Sequence, residues 1–84
     1  MKMNINALND YLYSTSDLTL AAVISLSYPV FSIDKSNPNK IIFNFQKEKC
    51  LDLIIEKYWQ EELRIEPIKY SSALKKLKNK IYNT

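Results

Sequence analysis

The stretch YWQEELRIEP, residues 58–67, decides how the chain is divided. It contains the only Trp and the only Arg of the sequence, Trp59 and Arg64, and it ends at Pro67. Apolar residues recur with helical spacing before this stretch and again after it, so it joins two helices. A residue that precedes proline disfavours the α region, and proline suits the first turn of a helix. We therefore expect Glu66 to be extended and Pro67 to begin the second of the two helices.

The helix before this stretch is predicted over residues 48–60. Its apolar residues cover a wide arc of the helical wheel, which predicts a broad buried side. They are Cys50, Leu51, Ile54, Ile55, Tyr58 and Trp59, with Leu53 at the margin. We expect Cys50 to be a small buried hydrophobe and not a reactive thiol. Large aromatic residues dominate core burial, so Trp59 either closes the core or, if it is exposed, anchors a partner.

The helix after this stretch is predicted to extend from Pro67 to about Tyr82. Its apolar residues follow one seam, which predicts that a single side packs inward. The seam consists of Tyr70, Leu74, Leu77 and Ile81, with Ala73 beside it. The lysines flank it unevenly: Lys69, Lys76 and Lys80 form one row, whereas Lys75 and Lys78 lie on the far side.

Before these helices, residues 30–36 and 40–46 alternate apolar and polar side chains with a period of two, which is typical of strands. The link at residues 36–39 reads SNPN, and proline flanked by asparagines favours a tight turn. The two runs therefore predict a β-hairpin. Its core side is predicted to carry Phe31, Ile33, Ile41, Phe43 and Phe45.

A first helix is predicted over residues 17–27. We expect Thr15 or Ser16 to cap its N-terminus, with Asp17 in the first turn where the helix dipole favours an anion. Its apolar residues cover almost the whole circumference, so it is either buried centrally or completed on one side by a partner subunit. Residues 10–13 are either a short strand or an extended lead-in.

These elements predict a single small α+β domain with the order (β)-α-β-β-α-α, in which helices cover a β-hairpin. The domain is expected to span residues 11–84, after a loosely ordered lead at residues 1–10. A chain of 84 residues buries only about 60–65% of the surface that its unfolded form exposes, so its core is thin.

The composition argues against catalysis. The chain has no Gly, so it lacks the phosphate-binding loops that depend on glycine. It has no His and a single Cys, which removes the commonest general base and metal ligand and any cysteine-based zinc site. We therefore expect no enzymatic activity, no cofactor, no metal and no small-molecule substrate.

The longest uncharged run, residues 18–33, contains Pro29 and is shorter than the roughly 20 residues that span a bilayer. No secretory pattern of an apolar run after a basic start is present at residues 1–10. A lone cysteine fits a reducing compartment. We therefore expect a cytoplasmic protein without membrane contact, located in the host cytoplasm if a phage encodes it.

The charge is distributed unevenly. Residues 67–84 carry five lysines and no acid, whereas all nine acidic residues lie before them. The lysines, which are Lys69, Lys75, Lys76, Lys78 and Lys80, indicate either an anionic partner or an ordinary solvated face. Nucleic-acid binding by this helix, in a winged-helix variant, is the alternative function, although a single Arg limits bidentate recognition of guanine.

A protein partner or self-association is the principal expectation. Trp and Tyr are favoured at the centres of protein interfaces. The residues predicted to contribute are Tyr11, Tyr13, Tyr28, Trp59 and Arg64. We therefore expect a non-enzymatic binding protein that serves as an inhibitor or accessory subunit of a larger protein or protein–nucleic-acid complex, or that forms a homo-oligomer.

Several short motifs resemble those of a small uncharacterised domain family of prokaryotes and phages. They are Tyr13-x-Thr15-x-Asp17-Leu18 followed by Ala21-Ala22, Phe43-x-Phe45, Tyr58-Trp59, Glu66-Pro67, and Ala73-Leu74 with Leu77-Lys78. Relatives of this kind often carry a Gly after the first helix and another just past the Trp, where this chain has Ser27-Tyr28-Pro29 and Gln60-Glu61. The resemblance spans residues 11–82, implies no activity, and implies a phage or mobile-element origin.

Overall fold

The computed structural model describes residues 11–82, which form three strands and three helices. Their bounds are β1 Leu12–Thr15, α1 Leu18–Ser25, β2 Ser32–Asp34, β3 Ile42–Gln46, α2 Lys49–Trp59 and α3 Pro67–Tyr82. The predicted α+β class and element order are confirmed, and Leu12 and Tyr13, from the run predicted as a short strand or an extended lead-in, lie in β1. The predicted loosely ordered lead at residues 1–10 lies outside the described residues.

The three strands form one antiparallel sheet in the order β1-β3-β2. The predicted hairpin is β2–β3, and its turn is closed by a hydrogen bond of 3.0 Å from the amide of Lys40 to the carbonyl of Asn37. Strand β1 pairs with the other edge of β3, where Tyr13 lies opposite Phe45. The hairpin strands are shorter than predicted. Phe31 precedes β2 and is 57% exposed, so its predicted core position is wrong.

Helix α1 occupies the centre of the domain. Residues 20–24 are buried consecutively, and α1 contacts β1, α2 and α3. The opposing sheet surface is formed by Phe43 and Phe45, which are also buried. A single chain therefore covers these five residues of α1, as the alternative of central burial predicts.

The start of α1 corrects the predicted cap. Asp17 is the N-cap residue, and its carboxylate accepts a hydrogen bond of 3.2 Å from the amide of Leu20. Thr15 still belongs to β1 and cannot be the cap. Its hydroxyl instead accepts a hydrogen bond of 3.1 Å from the amide of Asp17. The side-chain cap on α1 is therefore a carboxylate, which also complements the helix dipole.

Helix α2 is less buried than its apolar arc predicts. Leu51 is its one fully buried residue, whereas Cys50 and Leu53 are exposed and Trp59 is 63% exposed. The predicted burial of Cys50 is wrong, and of the two alternatives for Trp59 the core position is wrong. The reason is geometric: α2 packs on α1 along a narrow strip, so only the middle of the apolar arc is covered.

Helix α3 follows the prediction closely. It begins at Pro67, and the Glu66 carboxylate accepts hydrogen bonds from the amides of Ile68 and Lys69 at 3.1 and 2.9 Å. The predicted seam packs inward on the core. Ala73 and Leu77 are buried, and Tyr70, Leu74 and Ile81 are half-buried against the core.

Candidate functional site

A groove of about 620 Å³ separates α3 from the end of α1 and the segment that follows it. We call it the basic groove. One wall is formed by residues 25–30, and the other is formed by the side of α3 that carries residues 68–80. Helix α1 ends at Ser25, and Pro29 and Val30, which lie outside any helix, complete the first wall.

The floor and rim of the basic groove are mainly apolar. Leu26, Pro29, Val30, Ile68, Ala73 and Leu77 line it. Three of these residues are exposed: Ile68 is 73% accessible, Leu26 is 39% accessible, and Pro29 is exposed as well. Ile68 is off the buried seam of α3, so the fold of the chain does not use it. An apolar side chain in this position is typical of a contact surface.

Lysines give the basic groove its charge. Lys69, Lys76 and Lys80 line it together with the uncharged polar residues Ser25, Ser72 and Asn79, and no acidic residue is among the lining residues. At about 100° per residue, the three lysines lie within roughly 40° of each other around α3. Lys75 and Lys78 lie on other sides of the helix and do not line the groove. The predicted set of five lysines is thus divided into a groove group of three and an outer pair.

Two contacts hold the charged wall in place. The carboxylate of Glu66 is engaged by the first amides of α3, which fixes the position at which the helix starts. At the other end, the ammonium of Lys35 donates a hydrogen bond to the backbone carbonyl of Lys80. This contact ties the hairpin to the last turns of α3 and places a further cation near the end of the groove.

Comparison with protein families identifies residues 10–83 as a domain described as "Domain of unknown function (DUF5659)". The chain belongs to this family. The predicted resemblance to an uncharacterised small domain family is thereby confirmed at that level. No curated protein and no solved structure matches the chain.

The five predicted interface residues of the DUF5659 domain differ in exposure. Tyr13 and Tyr28 are half-buried against the core, whereas Tyr11, Trp59 and Arg64 are exposed. Tyr11 and Tyr28 line two adjoining pockets at one end of the sheet, and neither Trp59 nor Arg64 lines either pocket.

Asp17 influences the ionisation of two tyrosines of the DUF5659 domain, Tyr13 and Tyr58. Burial, followed by the negative charge of Asp17, raises the pKa of Tyr13, although a hydrogen bond with Thr15 opposes the shift. Burial also raises the pKa of Tyr58, and the neighbouring Asp17 carboxylate and Tyr70 add to the effect. Both phenols therefore stay protonated at neutral pH. Both side chains pack against the core.

Across residues 11–82 there is no group of three or more His, Cys, Asp or Glu side chains placed to hold a metal ion. In the same residues, no helix is long and apolar enough to cross a bilayer.

Sequence reasoning missed the apolar half of the basic groove. Leu26 and Val30 join it through tertiary packing that the local pattern does not contain. Ile68 had a visible signal: it is a large aliphatic residue about 160° away from the seam of α3 on the helical wheel. An apolar residue opposite a buried seam indicates a second contact surface on the same helix.

Proposed function

We propose that this DUF5659 domain is a small, non-enzymatic protein-binding module whose basic groove takes an acidic, amphipathic segment of a partner protein. The observation that carries the proposal is the combination of an exposed apolar surface with three lysines and no acidic residue in one groove. Apolar residues of the partner would cover Ile68 and Leu26, while its carboxylates would meet Lys69, Lys76 and Lys80.

The dimensions of the groove favour a polypeptide. Its α3 wall runs from Ile68 to Lys80, which at about 1.5 Å per residue is roughly 18 Å long. That length accepts about three turns of a partner helix laid along α3. Pockets for small molecules position a few fixed polar groups around the ligand, whereas the polar groups here include three long, flexible lysines. Lysine ammonium groups recognise charge more than shape, which suits an acidic surface.

The division of the lysines also bears on the alternative of nucleic-acid binding. A phosphate backbone would engage as many lysines as lie along its path, and the affinity would depend steeply on salt. The five lysines of α3 point to different sides, so no single straight strand meets all of them. The groove group is the one that combines charge with an apolar surface, which favours a protein partner.

An inhibitor or accessory subunit of a larger assembly is the role that we propose for such a module. A phage or mobile-element origin and a cytoplasmic location remain part of this proposal, supported by the motif resemblance and by the single cysteine. The proposal assigns the domain no catalytic step.

The test uses a fluorescently labelled synthetic peptide of about 14 residues, with Leu on one side of its helix and Glu on the flanks, and measures binding by anisotropy. The variant Lys69→Glu/Lys76→Glu reverses two charges in the groove, and Lys75→Glu/Lys78→Glu makes the same net change outside it. We expect the groove variant to bind at least tenfold more weakly, and the control to stay within about threefold of the parent chain.

Two further arms make the test decisive. Ile68→Ser should weaken peptide binding about fivefold or more, because it removes the exposed apolar contact without changing charge. Labelled single-stranded and duplex DNA are titrated in parallel. Equal weakening by the two double variants, or DNA binding tighter than peptide binding that both variants abolish, would overturn the proposal in favour of a general basic surface.

A further inference from the structure

A second, smaller pocket adjoins the basic groove. It has a volume of about 210 Å³ and is lined by Tyr28, Pro29, Val30, Phe31, Gln46 and Glu48. We call it the acidic pocket. Pro29 and Val30 line both cavities, so these two residues form the wall between them. A segment that leaves the basic groove over this wall therefore reaches the acidic pocket next.

The sign of the charge reverses across that wall. Glu48 is the one charged residue among those lining the acidic pocket, whereas the charged residues lining the basic groove are lysines. Glu48 precedes α2 in an extended conformation, and its side chain makes no capping hydrogen bond to the helix. The carboxylate is thus not engaged in holding the start of α2. Phe31, Gln46 and Glu48 also line a neighbouring cavity. Lys47 lines that second cavity and is not among the residues that line the acidic pocket.

The remaining walls suit a cation. Tyr28 and Phe31 contribute aromatic rings, and the faces of such rings attract ammonium and guanidinium groups. Phe31 is more than half exposed, so its ring is accessible to a ligand and is not buried in the core. The Gln46 side chain adds an amide carbonyl that accepts hydrogen bonds. A volume of this size accommodates the end of one long side chain and excludes a helix.

We propose that the acidic pocket binds an arginine or lysine side chain of the same partner segment that lies in the basic groove. The inference rests on the proposed function, and it specifies the partner further. The segment that this surface recognises carries acidic residues along its amphipathic body and a cationic residue at the end that passes Pro29 and Val30. The domain thereby distinguishes the two orientations of the bound segment, because the cationic side chain can enter the acidic pocket from one end only.

The experiment compares three labelled peptides with the same acidic, amphipathic body: one with Arg at the N-terminal end, one with Arg at the C-terminal end, and one with Gln at both. Binding of each is measured by anisotropy to the full chain and to Glu48→Gln and Phe31→Ala. Glu62→Gln serves as the control, because it removes the same charge from an exposed position that does not line either cavity.

We expect one of the two Arg peptides to bind about five- to tenfold more tightly than the Gln peptide. Both Glu48→Gln and Phe31→Ala should bring that ratio close to one, while Glu62→Gln leaves it unchanged. Circular dichroism spectra of the variants establish that they remain folded.

Equal binding of all three peptides, with the dependence on Lys69 and Lys76 intact, would overturn the cation pocket and leave the basic groove standing. A preference for Arg that survives Glu48→Gln and Phe31→Ala would also overturn it. Failure of every peptide to bind would overturn the groove and the pocket together.

Discussion

The rings of Tyr58 and Trp59 meet edge to face, with their centroids 5.1 Å apart and their planes at 87°. The two neighbours have different environments, since Tyr58 packs against the core and Trp59 projects into solvent. The contact therefore stabilises the end of α2 from the outside and does not close the core.

We expect Trp59→Ala to leave the domain folded. An edge-to-face aromatic pair contributes about 0.5–1.5 kcal/mol, so the free energy of unfolding should fall by about 1 kcal/mol. Leu51→Ala is the matched comparison on the same helix, and truncation of this buried residue should cost about 2–5 kcal/mol. Urea unfolding followed by circular dichroism measures both changes. A loss for Trp59→Ala as large as that for Leu51→Ala would show that the indole is a core group.

Glu61 should be replaceable by Gly with a gain in stability. It has φ of 60°, in the left-handed region, which costs a residue with a Cβ about 1–2 kcal/mol. The amide of Glu62 donates a hydrogen bond to the carbonyl of Lys57, and the amide of Glu61 donates one to the carbonyl of Tyr58. This pair of bonds is the Schellman motif, in which glycine is the favoured residue after the helix.

The variant Glu61→Gly should therefore raise the free energy of unfolding by about 0.5–1 kcal/mol after the greater unfolded-state entropy of glycine is included. Glu62→Gly is the control, because the positive φ belongs to Glu61 alone among the described non-glycine residues. The control should be neutral or destabilising. A loss of stability on Glu61→Gly would mean that the glutamate side chain is needed at the turn.

The domain should lose stability at alkaline pH because two of its tyrosines have raised pKa values in the folded state. The pKa of Tyr13 and that of Tyr58 are both raised above 10.0 in the folded chain, first by burial and then by Asp17. The unfolded chain therefore loses these protons first. This contribution to stability is complete below the unfolded pKa, near 10, and is lost as the pH rises through the folded values.

Unfolding free energies at pH 8 and at about pH 11 measure this loss, and tyrosinate absorbance followed against pH locates the folded titrations. Tyr58→Phe should reduce the pH dependence, and Asp17→Asn should bring the tyrosine titrations closer to 10. Tyr82→Phe is the control at an exposed position. If Tyr82→Phe reduced the pH dependence as much as Tyr58→Phe did, the assignment to Tyr58 would be wrong.

Cys50 should react in the native state. Its side chain is exposed, so a thiol reagent does not need the domain to unfold. We expect the thiol to be modified by an aromatic disulfide reagent at a similar rate in buffer and in denaturing urea at the same pH. Reaction only under unfolding conditions would show that Cys50 is buried, as its apolar neighbours in the sequence predict.

The parts of the fold that follow from the sequence are those in which a single period describes burial. Alternation places Phe43 and Phe45 on the covered side of β3, and the spacing of the α3 seam places Leu77 in the core. The predictions fail where burial depends on how wide the contact with the neighbouring element is. The sequence of α2 shows which of its side chains are apolar. The narrow contact between α2 and α1 then determines that Leu51 is buried and that Trp59 is exposed.

The sequence predicts how the lysines of the candidate site are grouped, but it does not predict the groove that they line. Helical spacing separates Lys69, Lys76 and Lys80 from Lys75 and Lys78, and the structure places the first three along the groove. The apolar wall at residues 25–30 depends on where the chain turns after α1, and α1 ends earlier than its sequence indicates. No local pattern brings Val30 next to α3, because that contact belongs to the tertiary fold.

The complete enclosure of residues 20–24 limits how this domain can diversify. A change of side-chain volume there disturbs the sheet and two helices at once, so substitutions must be compensated in several places and will accumulate slowly. The exposed side of α3 and the segment after α1 are not constrained by core packing in this way. We expect the evolution of new partner preferences in this family to proceed through those two surfaces, around an α1 that stays almost fixed.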